Sequence, residues 1–150
     1  MKWCLRSMIT SDLPQVVAIE QSCHPHPWSA DLFQRELDNP LAHLFVCVCH
    51  DEVIGYLCLW NIAGEVEIHN VATSPDWQRK GVAALLMQGF WAYVDEHHID
   101  QAFLEVRCNN VAAIHLYEKH LFRVTDRRKG YYSDGEDALL MCWQRNTVND

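Results

Sequence analysis

Three strand-like segments follow one another almost without interruption between residues 43 and 73. They are "HLFVCVCH", "VIGYLCLWNI" and "EVEIHNVAT", separated by Asp51-Glu52 and by a turn at Gly64. Connections this short join antiparallel neighbours, because a parallel pair needs a crossover of a dozen or more residues. The sequence therefore predicts an antiparallel meander in the middle of the chain.

Helical patterns lie on both sides of the meander. "SDLPQVVAIEQSC" is predicted to be a helix capped by Ser11 or Asp12, and Ser29 is predicted to cap "SADLFQREL". A longer helix begins at Gly81, and Asn110 opens a shorter one, "VAAIHLYEKH". We expect each helix to lay its apolar side on the sheet.

The remaining strand candidates are "KWCLRSMI", "QAFLEVRC", "LFRVTDRR" and "DALLMCWQR". The predicted order is β-α-α-β-β-β-α-β-α-β-β, a mixed α/β (α+β) sandwich around one sheet. A chain of 150 residues suggests a single domain over residues 1–150. The polar tail from Asn146 to Asp150 is expected to be loose.

The charge balance restricts the class of partner. The net charge is −8, with 20 acidic and 12 basic residues. Nucleic-acid binders carry clustered positive charge, so this balance argues against a nucleic-acid partner and fits a basic or neutral substrate.

Seven cysteines at irregular spacing indicate small buried hydrophobes in a reducing compartment. Cys108 is interpreted as structural, and no metal-ligand spacing is present, so no metal site is expected. Arg6 and Asp12 interrupt any signal-peptide core, and the uncharged run from Val82 to Val94 is shorter than the ~20 residues that span a bilayer. We therefore expect a cytoplasmic protein without a membrane partner.

The stretch from Gln78 to Ala83 joins a strand to a helix and reads QRKGVA. A helix N-terminus presents unpaired N–H groups and a partial positive charge, which stabilise a bound phosphate. Gly81 and Ala83 would let a pyrophosphate approach the backbone, and Arg79 and Lys80 would add positive charge. The alternative is that Gly81 is only a turn glycine, and the six residues alone leave both interpretations open.

A second group of candidates lies in "FLEVRCNNVAAIHLYEKHLF". Glu105 is a carboxylate in an apolar strand, which is costly unless it is paired, solvated or functional. Each candidate also has an ordinary structural role. Glu105 could pair with Arg107 or Arg127, Asn110 could be an N-cap, and Tyr117 could be a core residue.

These motifs together resemble those of the GNAT superfamily of N-acetyltransferases. "HNVATSPDWQRKGVAALLM" resembles its acetyl-CoA signature, [QR]-x-x-G-x-[GA], at Gln78, Gly81 and Ala83. "LEVRCNNVAAIHLYEKHLF", "HPHPWSADLF" and "RRKGYYSDGEDALLM" resemble the RimI branch, the ribosomal-protein-alanine N-acetyltransferases, so the likeness covers nearly the whole chain. One departure is Leu121 before Phe122, where the family has glycine, and we expect it to alter a helix C-cap and not the chemistry.

The resemblance implies the GNAT fold and acetylation of the N-terminal amine of an alanine-starting, basic ribosomal protein by acetyl-CoA. It implies Glu105 as general base, Tyr117 as general acid, and a loop at Tyr131 and Tyr132 that lines the peptide entrance. Asn110 would face the pantetheine arm. The other residues implied to bind acetyl-CoA are Val71, Ala72 and Thr73 on the strand, and Arg79, Lys80, Gly81, Val82, Ala83 and Ala84 at the helix start.

Two alternatives stay open at this point. Glu67 shares a predicted strand face with His69 and Val71, by the period of two, and is the second candidate for the base. The acceptor could instead be a lysine or a small amine, or the chain could be a coenzyme-A-binding module without catalysis. Retention of both Glu105 and Tyr117 favours an enzyme.

Overall fold

The structure is a computed structural model that describes residues 3–145. The tail predicted to be loose, 146–150, lies outside the described residues, as does the first residue of the predicted N-terminal strand. The predicted order of elements is confirmed. The strands are β1 (Cys4–Ser7), β2 (Ala42–Cys49), β3 (Glu52–Ile62), β4 (Glu65–Thr73), β5 (Gln101–Arg107), β6 (Arg123–Arg128) and β7 (Ala138–Gln144), and the helices are α1 (Leu13–Cys23), α2 (Ala30–Leu37), α3 (Val82–Glu96) and α4 (Val111–Lys119).

A side-chain cap hydrogen bond is present at two of the three helices for which a cap was predicted. The Ser29 hydroxyl accepts the Leu32 N–H at 3.1 Å, and the Asn110 side chain accepts the Ala113 N–H at 3.2 Å. The first helix begins at Leu13 with Asp12 at the N-cap position, one of the two predicted, directly after a 3₁₀ turn over Thr10–Asp12. The Asp12 carboxylate does not cap α1; it binds the Arg6 guanidinium at 2.8 Å, and this contact lowers the pKa of Asp12.

All seven strands form one sheet in the order β1-β2-β3-β4-β5-β7-β6. The predicted meander of β2, β3 and β4 is confirmed as antiparallel. The pair β4 and β5 is parallel, and its register runs only from Glu65 opposite Gln101 to Ile68 opposite Leu104. This short parallel pair joins the meander to the second half of the sheet.

Apolar side chains cover both faces of the sheet. Leu86 and Phe90 of α3 and Phe122 after α4 belong to the core on one face, while Val16 of α1 and Phe33 of α2 belong to the core on the other. The approach of α3 is close at Gly55 of β3. A Cβ atom there would lie 2.8 Å from the Val82 side chain and 3.0 Å from the Ala72 carbonyl oxygen, so a glycine at this position sets the start of α3 against the end of β4.

The cysteines are less uniformly buried than predicted. Cys47, Cys49 and Cys58 are buried, while Cys4 is exposed. Within residues 3–145, no group of three or more His, Cys, Asp and Glu side chains is arranged to hold a metal ion. None of the helices in this range combines the length and the apolar character needed to cross a bilayer.

The departure at Leu121 is a backbone feature. Leu121 has a φ of +75° and follows α4, where the Phe122 N–H donates to the Tyr117 carbonyl at 3.0 Å. This is the left-handed position that glycine favours at a helix end. The Leu121 side chain is 72% exposed, so little packing offsets the strain.

We predict that Leu121→Gly raises the free energy of unfolding by about 1 kcal/mol. The left-handed conformation costs an L-residue roughly 1–2 kcal/mol, and the greater freedom of glycine in the unfolded chain returns roughly 0.4–1 kcal/mol of that. Urea unfolding measures the difference. Leu121→Ala is the matched control, because it removes the exposed side chain but keeps the Cβ atom. A glycine variant less stable than the alanine variant by roughly 0.4–1 kcal/mol would show that the backbone is not strained there.

Candidate active site

A β-bulge in β4 shapes the centre of the molecule. Cys58 of β3 lies opposite Asn70 and Leu59 lies opposite Ile68, so His69 is an extra residue on β4. The His69 ring stacks on Trp60 at 4.7 Å between centroids, on the α1/α2 side of the sheet. After the bulge, Val71 packs on the α3 side. The prediction that Val71 shares a face with Glu67 and His69 is therefore wrong, because the bulge breaks the period of two.

Beyond Ile68 and Leu104 the parallel strands separate and leave an opening. The Ser74 N–H donates to the Ile54 carbonyl of β3 at 2.8 Å. Because N–H groups alternate between the two edges of a strand, those of Val71 and Thr73 point away from β3 and into the opening. The Thr73 carbonyl, on the same edge, accepts hydrogen bonds from other parts of the site, the Cys23 thiol at 3.3 Å and the Gln78 amide at 3.4 Å.

One part of this opening, which we name the α3 cleft, lies between the end of β4, the start of α3, and α4. Its volume is about 440 Å³. Arg79 is the only charged residue among the described residues that line it. The predicted residues that line the cleft are Val71, Ala72, Thr73, Arg79, Gly81, Val82 and Ala83. Gln78, which the sequence motif includes, lines it too. Sequence reasoning missed four further lining residues, Cys23, Ala112, Ala113 and Leu116.

Three of the residues predicted to bind acetyl-CoA lie outside the α3 cleft: Lys80, Ala84 and Asn110, the last of which borders the neighbouring cavities. The Lys80 ammonium group lies 5.3 Å from the centroid of the Trp77 ring, and Ala84 belongs to the first turn of α3 without lining the cleft. Gly81 lines the cleft and is the N-cap of α3 with a φ of +98°. The positive φ is the reason that glycine is favoured here. Crowding is not, because the nearest atom to an added Cβ would be 3.8 Å away. The turn interpretation of Gly81 therefore has a physical basis, and it is compatible with a role in the cleft.

The second part of the opening, the central passage, has a volume of about 170 Å³. It brings together four of the predicted residues: Val71, Glu105, Asn110 and Tyr117. The Tyr117 side chain is buried, and among residues 3–145 its hydroxyl has no hydrogen-bond partner. Burial raises the pKa of Tyr117, so its hydroxyl is protonated at neutral pH and available to a molecule in the passage.

Glu105 does not form the predicted ion pairs. Its carboxylate accepts hydrogen bonds from the Tyr131 hydroxyl at 2.9 Å and from the Arg128 guanidinium at 3.3 Å. The predicted partners are occupied elsewhere: Arg107 binds Asp134 and Glu136, and Arg127 binds Asp137. Glu105 is one-third exposed, so its remaining lone pairs are open to the passage.

Two outer cavities flank the passage on the side away from the α3 cleft. The first, of about 390 Å³, is lined by Glu67, His69, Glu105, Arg128 and Tyr131 among others. The second, of about 700 Å³, lies between the α1–α2 turn and the β6–β7 loop, which includes Tyr132. Together their linings hold five carboxylates and two guanidinium groups. The carboxylates belong to Glu20, Glu67, Glu105, Asp134 and Glu136, and the guanidinium groups to Arg107 and Arg128.

A buried carboxylate that the sequence reasoning missed holds the bulge to α1. Glu20 is 1% exposed and accepts hydrogen bonds from the Tyr56 hydroxyl, from the Asn70 amide at 2.8 Å and from the Trp28 N–H at 3.0 Å. His24 also binds the Asn70 side chain at 3.0 Å. The one signal in the sequence is an acidic residue on the apolar side of the first helix.

The family model described as the acetyltransferase (GNAT) family matches residues 13–122. A [ribosomal protein bS18]-alanine N-acetyltransferase of Escherichia coli (strain K12) is 31% identical over 141 residues, covering 92% of this chain and 95% of that protein. A Bacillus subtilis protein that carries the same name provisionally is 34% identical, covering 99% and 98% of the two chains.

A solved structure extends the likeness to the fold. The crystal structure of the ribosomal-protein-S18-alanine N-acetyltransferase from Escherichia coli superposes with a TM-score of 0.89 at 29% identity and covers 99% of this chain and 97% of that one. The family match spans β4, the Gln78–Ala83 loop, Glu105 and Tyr117. The chain therefore belongs to the acetyltransferase (GNAT) family and is an N-acetyltransferase whose acetyl donor is acetyl-CoA.

Proposed function

We propose that this protein acetylates the N-terminal α-amine of an alanine-starting, basic protein, that its natural target is a ribosomal protein, and that it acts in the cytoplasm. The observation that carries the proposal is the central passage. It joins the α3 cleft to the acidic outer cavities and is lined by both Glu105 and Tyr117. The named relatives that act on the alanine of ribosomal protein bS18 support the same acceptor.

The α3 cleft has the properties that an acyl-coenzyme A requires. Its only charged lining residue among those described is Arg79, and the N-terminus of α3 adds a partial positive charge, so both favour the pyrophosphate. Ala112 and Ala113 leave room along α4 for the pantetheine arm. The Val71 N–H, which points into the opening, is placed to stabilise the oxyanion that forms on the thioester carbonyl. The coenzyme is held by the cleft residues Val71 to Thr73, Arg79 and Gly81 to Ala83. Asn110 borders the passage beside it, and Lys80 and Ala84 contribute from outside the cleft.

The outer cavities have the properties that a basic N-terminal segment requires. Their carboxylates outnumber their guanidinium groups, and the β6–β7 loop with Tyr131 and Tyr132 forms their rim. A positively charged peptide is attracted to this side, while the polyanionic coenzyme is attracted to the α3 cleft. The separation of charge therefore directs the two substrates to opposite sides of the passage.

The chemistry needs a base and an acid at the passage. An N-terminal ammonium group has a pKa of about 8, and it must lose a proton before the nitrogen can attack. Glu105 accepts a proton from the nitrogen as the C–N bond forms, directly or through one water. Tyr117 donates its proton to the departing thiolate, and burial keeps that hydroxyl protonated until then. The transfer is direct, without a covalent intermediate on the protein.

The decisive experiment is thiol release from acetyl-CoA with an alanine-starting basic peptide. We expect release with this peptide, and mass spectrometry should place the acetyl group on the α-amine. Release only with lysine side chains or small amines would change the acceptor class. Coenzyme A binding without release for any acceptor would indicate a binding module, and either result would overturn the proposal.

We predict that Glu105→Gln lowers kcat by roughly 10²–10⁴-fold and leaves acetyl-CoA binding nearly unchanged, because it removes the proton acceptor and keeps the shape. Single-turnover kinetics and calorimetric titration with coenzyme A separate the two effects. Glu67→Gln is the matched comparison on the neighbouring strand. A normal kcat for Glu105→Gln together with an inactive Glu67→Gln would move the base to Glu67.

We also predict that the KM for a basic alanine-starting peptide rises clearly between low and moderate salt, because exposed charges are screened over about 10 Å at 0.1 M. The kcat should change much less, since the chemistry at Glu105 and Tyr117 is local. Saturating acetyl-CoA removes the salt dependence of coenzyme binding. A neutral alanine-starting peptide is the control, and equal KM values for the two peptides at every salt concentration would contradict electrostatic recognition.

A further inference from the structure

His69 has a position that the functions described above do not use. As the extra residue of the β4 bulge, it borders both outer cavities and the central passage. Its side chain is 27% exposed, so it is in contact with solvent as well as with the site. An imidazole at the junction of three cavities on the acceptor side is placed where the incoming amine must pass.

The His69 ring is held in one orientation. It stacks on Trp60 with an interplanar angle of 23°, and the Trp60 indole N–H donates to the Glu36 carboxylate at 2.5 Å. On its edge, His69 Nε2 lies 3.2 Å from Glu67 Oε1. A carboxylate at this distance favours the tautomer with the proton on Nε2, and the lone pair then lies on Nδ1. Among residues 3–145, Nδ1 has no hydrogen-bond partner.

The reaction needs two proton acceptors on the acceptor side. An ammonium group becomes an amide N–H by losing two protons. One proton leaves before the attack, because the lone pair must be free, and the other leaves as the C–N bond forms. The thiolate takes up one proton from Tyr117 in the proposed function. The proton that Glu105 has accepted replaces the one lost by Tyr117, by exchange through solvent, and the other proton is released to solvent, which closes the balance.

An imidazole suits the first of these two steps. An imidazole is a stronger base than a carboxylate, so it is the better acceptor for a proton from an ammonium group. The second proton leaves a nitrogen that is far more acidic once it carries the new bond, so a carboxylate suffices there. This difference assigns the two steps to different residues.

We propose that His69, oriented by Glu67, removes the first proton from the acceptor ammonium, and that Glu105 removes the second. The ammonium N–H bond breaks as an Nδ1–H bond forms, and Glu67 stabilises the resulting imidazolium. That proton then passes to water at the exposed edge of the ring, which restores neutral His69. The inference rests on the proposed function and deepens it.

Other titratable and charged groups face His69 from five directions. Most of them are paired, such as Arg107 with Asp134 and Glu136, and Arg128 with Glu105. Apart from Glu67, which binds His69 directly, their titration is common to wild type and variants, so a ratio of rates cancels most of it. They come from α1 and its following turn (Glu20, His24, His26), from β4 itself (Glu67), from β5 (Glu105, Arg107), from β6 (Arg128) and from the β6–β7 loop (Tyr131, Tyr132, Asp134, Glu136), while Glu36 of α2 acts only through Trp60.

The test is the ratio of kcat/KM for wild type to that of His69→Gln, for an alanine-starting peptide at saturating acetyl-CoA, across pH 6 to 9. Without His69, only peptide that is already neutral can react. With an amine pKa of about 8, the neutral fraction is about 1% at pH 6 and about 10% at pH 7. His69 must itself be neutral to accept the proton, so at pH 6 the ratio is held below the value of about 100 that the neutral fraction of the peptide alone would give. We therefore expect a ratio on the order of tenfold between pH 6 and pH 7, falling to within about twofold at pH 9.

Two further variants make the result specific. His69→Phe keeps an aromatic ring against Trp60 but has no base, and we expect the same dependence on pH. Trp60→Phe keeps the base and removes the hydrogen bond to Glu36, so its ratio should not vary with pH. A ratio for both His69 variants that is constant across pH would overturn the role of His69 while leaving the acetyltransferase intact. Absence of thiol release by the wild type with alanine-starting peptides would instead overturn the proposed function.

Discussion

The separation of β4 from β5 is the constraint on which the rest of the molecule depends. Parallel neighbours need a crossover, and here the crossover is α3. Because α3 starts where β4 ends and α4 starts where β5 ends, both helix N-termini lie at the same end of the diverging strands. Gly81 and Asn110 therefore border one opening, and the unpaired edge of β4 offers its Val71 N–H to the same space. If the parallel pairing continued past Ile68, β5 would fill that space.

The same arrangement separates charge. The loop before α3 presents Arg79 to one side of the opening, while the ends of β5 and the β6–β7 loop present carboxylates to the other. In the family to which the chain belongs, one substrate is a polyanion. A site with a single sign of charge would attract only one of two oppositely charged substrates. Separate positive and negative sides can attract both a polyanionic coenzyme and a basic acceptor.

The sequence was sufficient for features that depend on local patterns. Strand and helix periodicity predicted every strand and α-helix in order but not the two short 3₁₀ turns. Ser29 and Asn110 were identified as caps because an N-cap is decided within four residues. Features that depend on tertiary pairing were missed. The partner of Glu105 proved to be Arg128, across the β7 strand between them, and not Arg107 or Arg127. The extra residue at His69 moves Val71 to the other face of the sheet. Neither the composition of β4 nor the spacing of its apolar residues predicts a bulge at this position.

The buried Glu20 explains how this bulge can be kept in place. A carboxylate that is 1% exposed is expensive to desolvate, and an apolar residue would pack in the same volume at a lower cost. An apolar residue would, however, leave the Asn70 amide and the Trp28 N–H without acceptors, and these groups belong to the bulge and to the turn that lines the outer cavity. Glu20 thus joins two otherwise separate walls of the acceptor side through one side chain. Burying Glu20 therefore fixes the bulge relative to the α1–α2 turn. In the proposed function this also fixes the acceptor relative to Val71, where a loss of position would reduce the rate steeply.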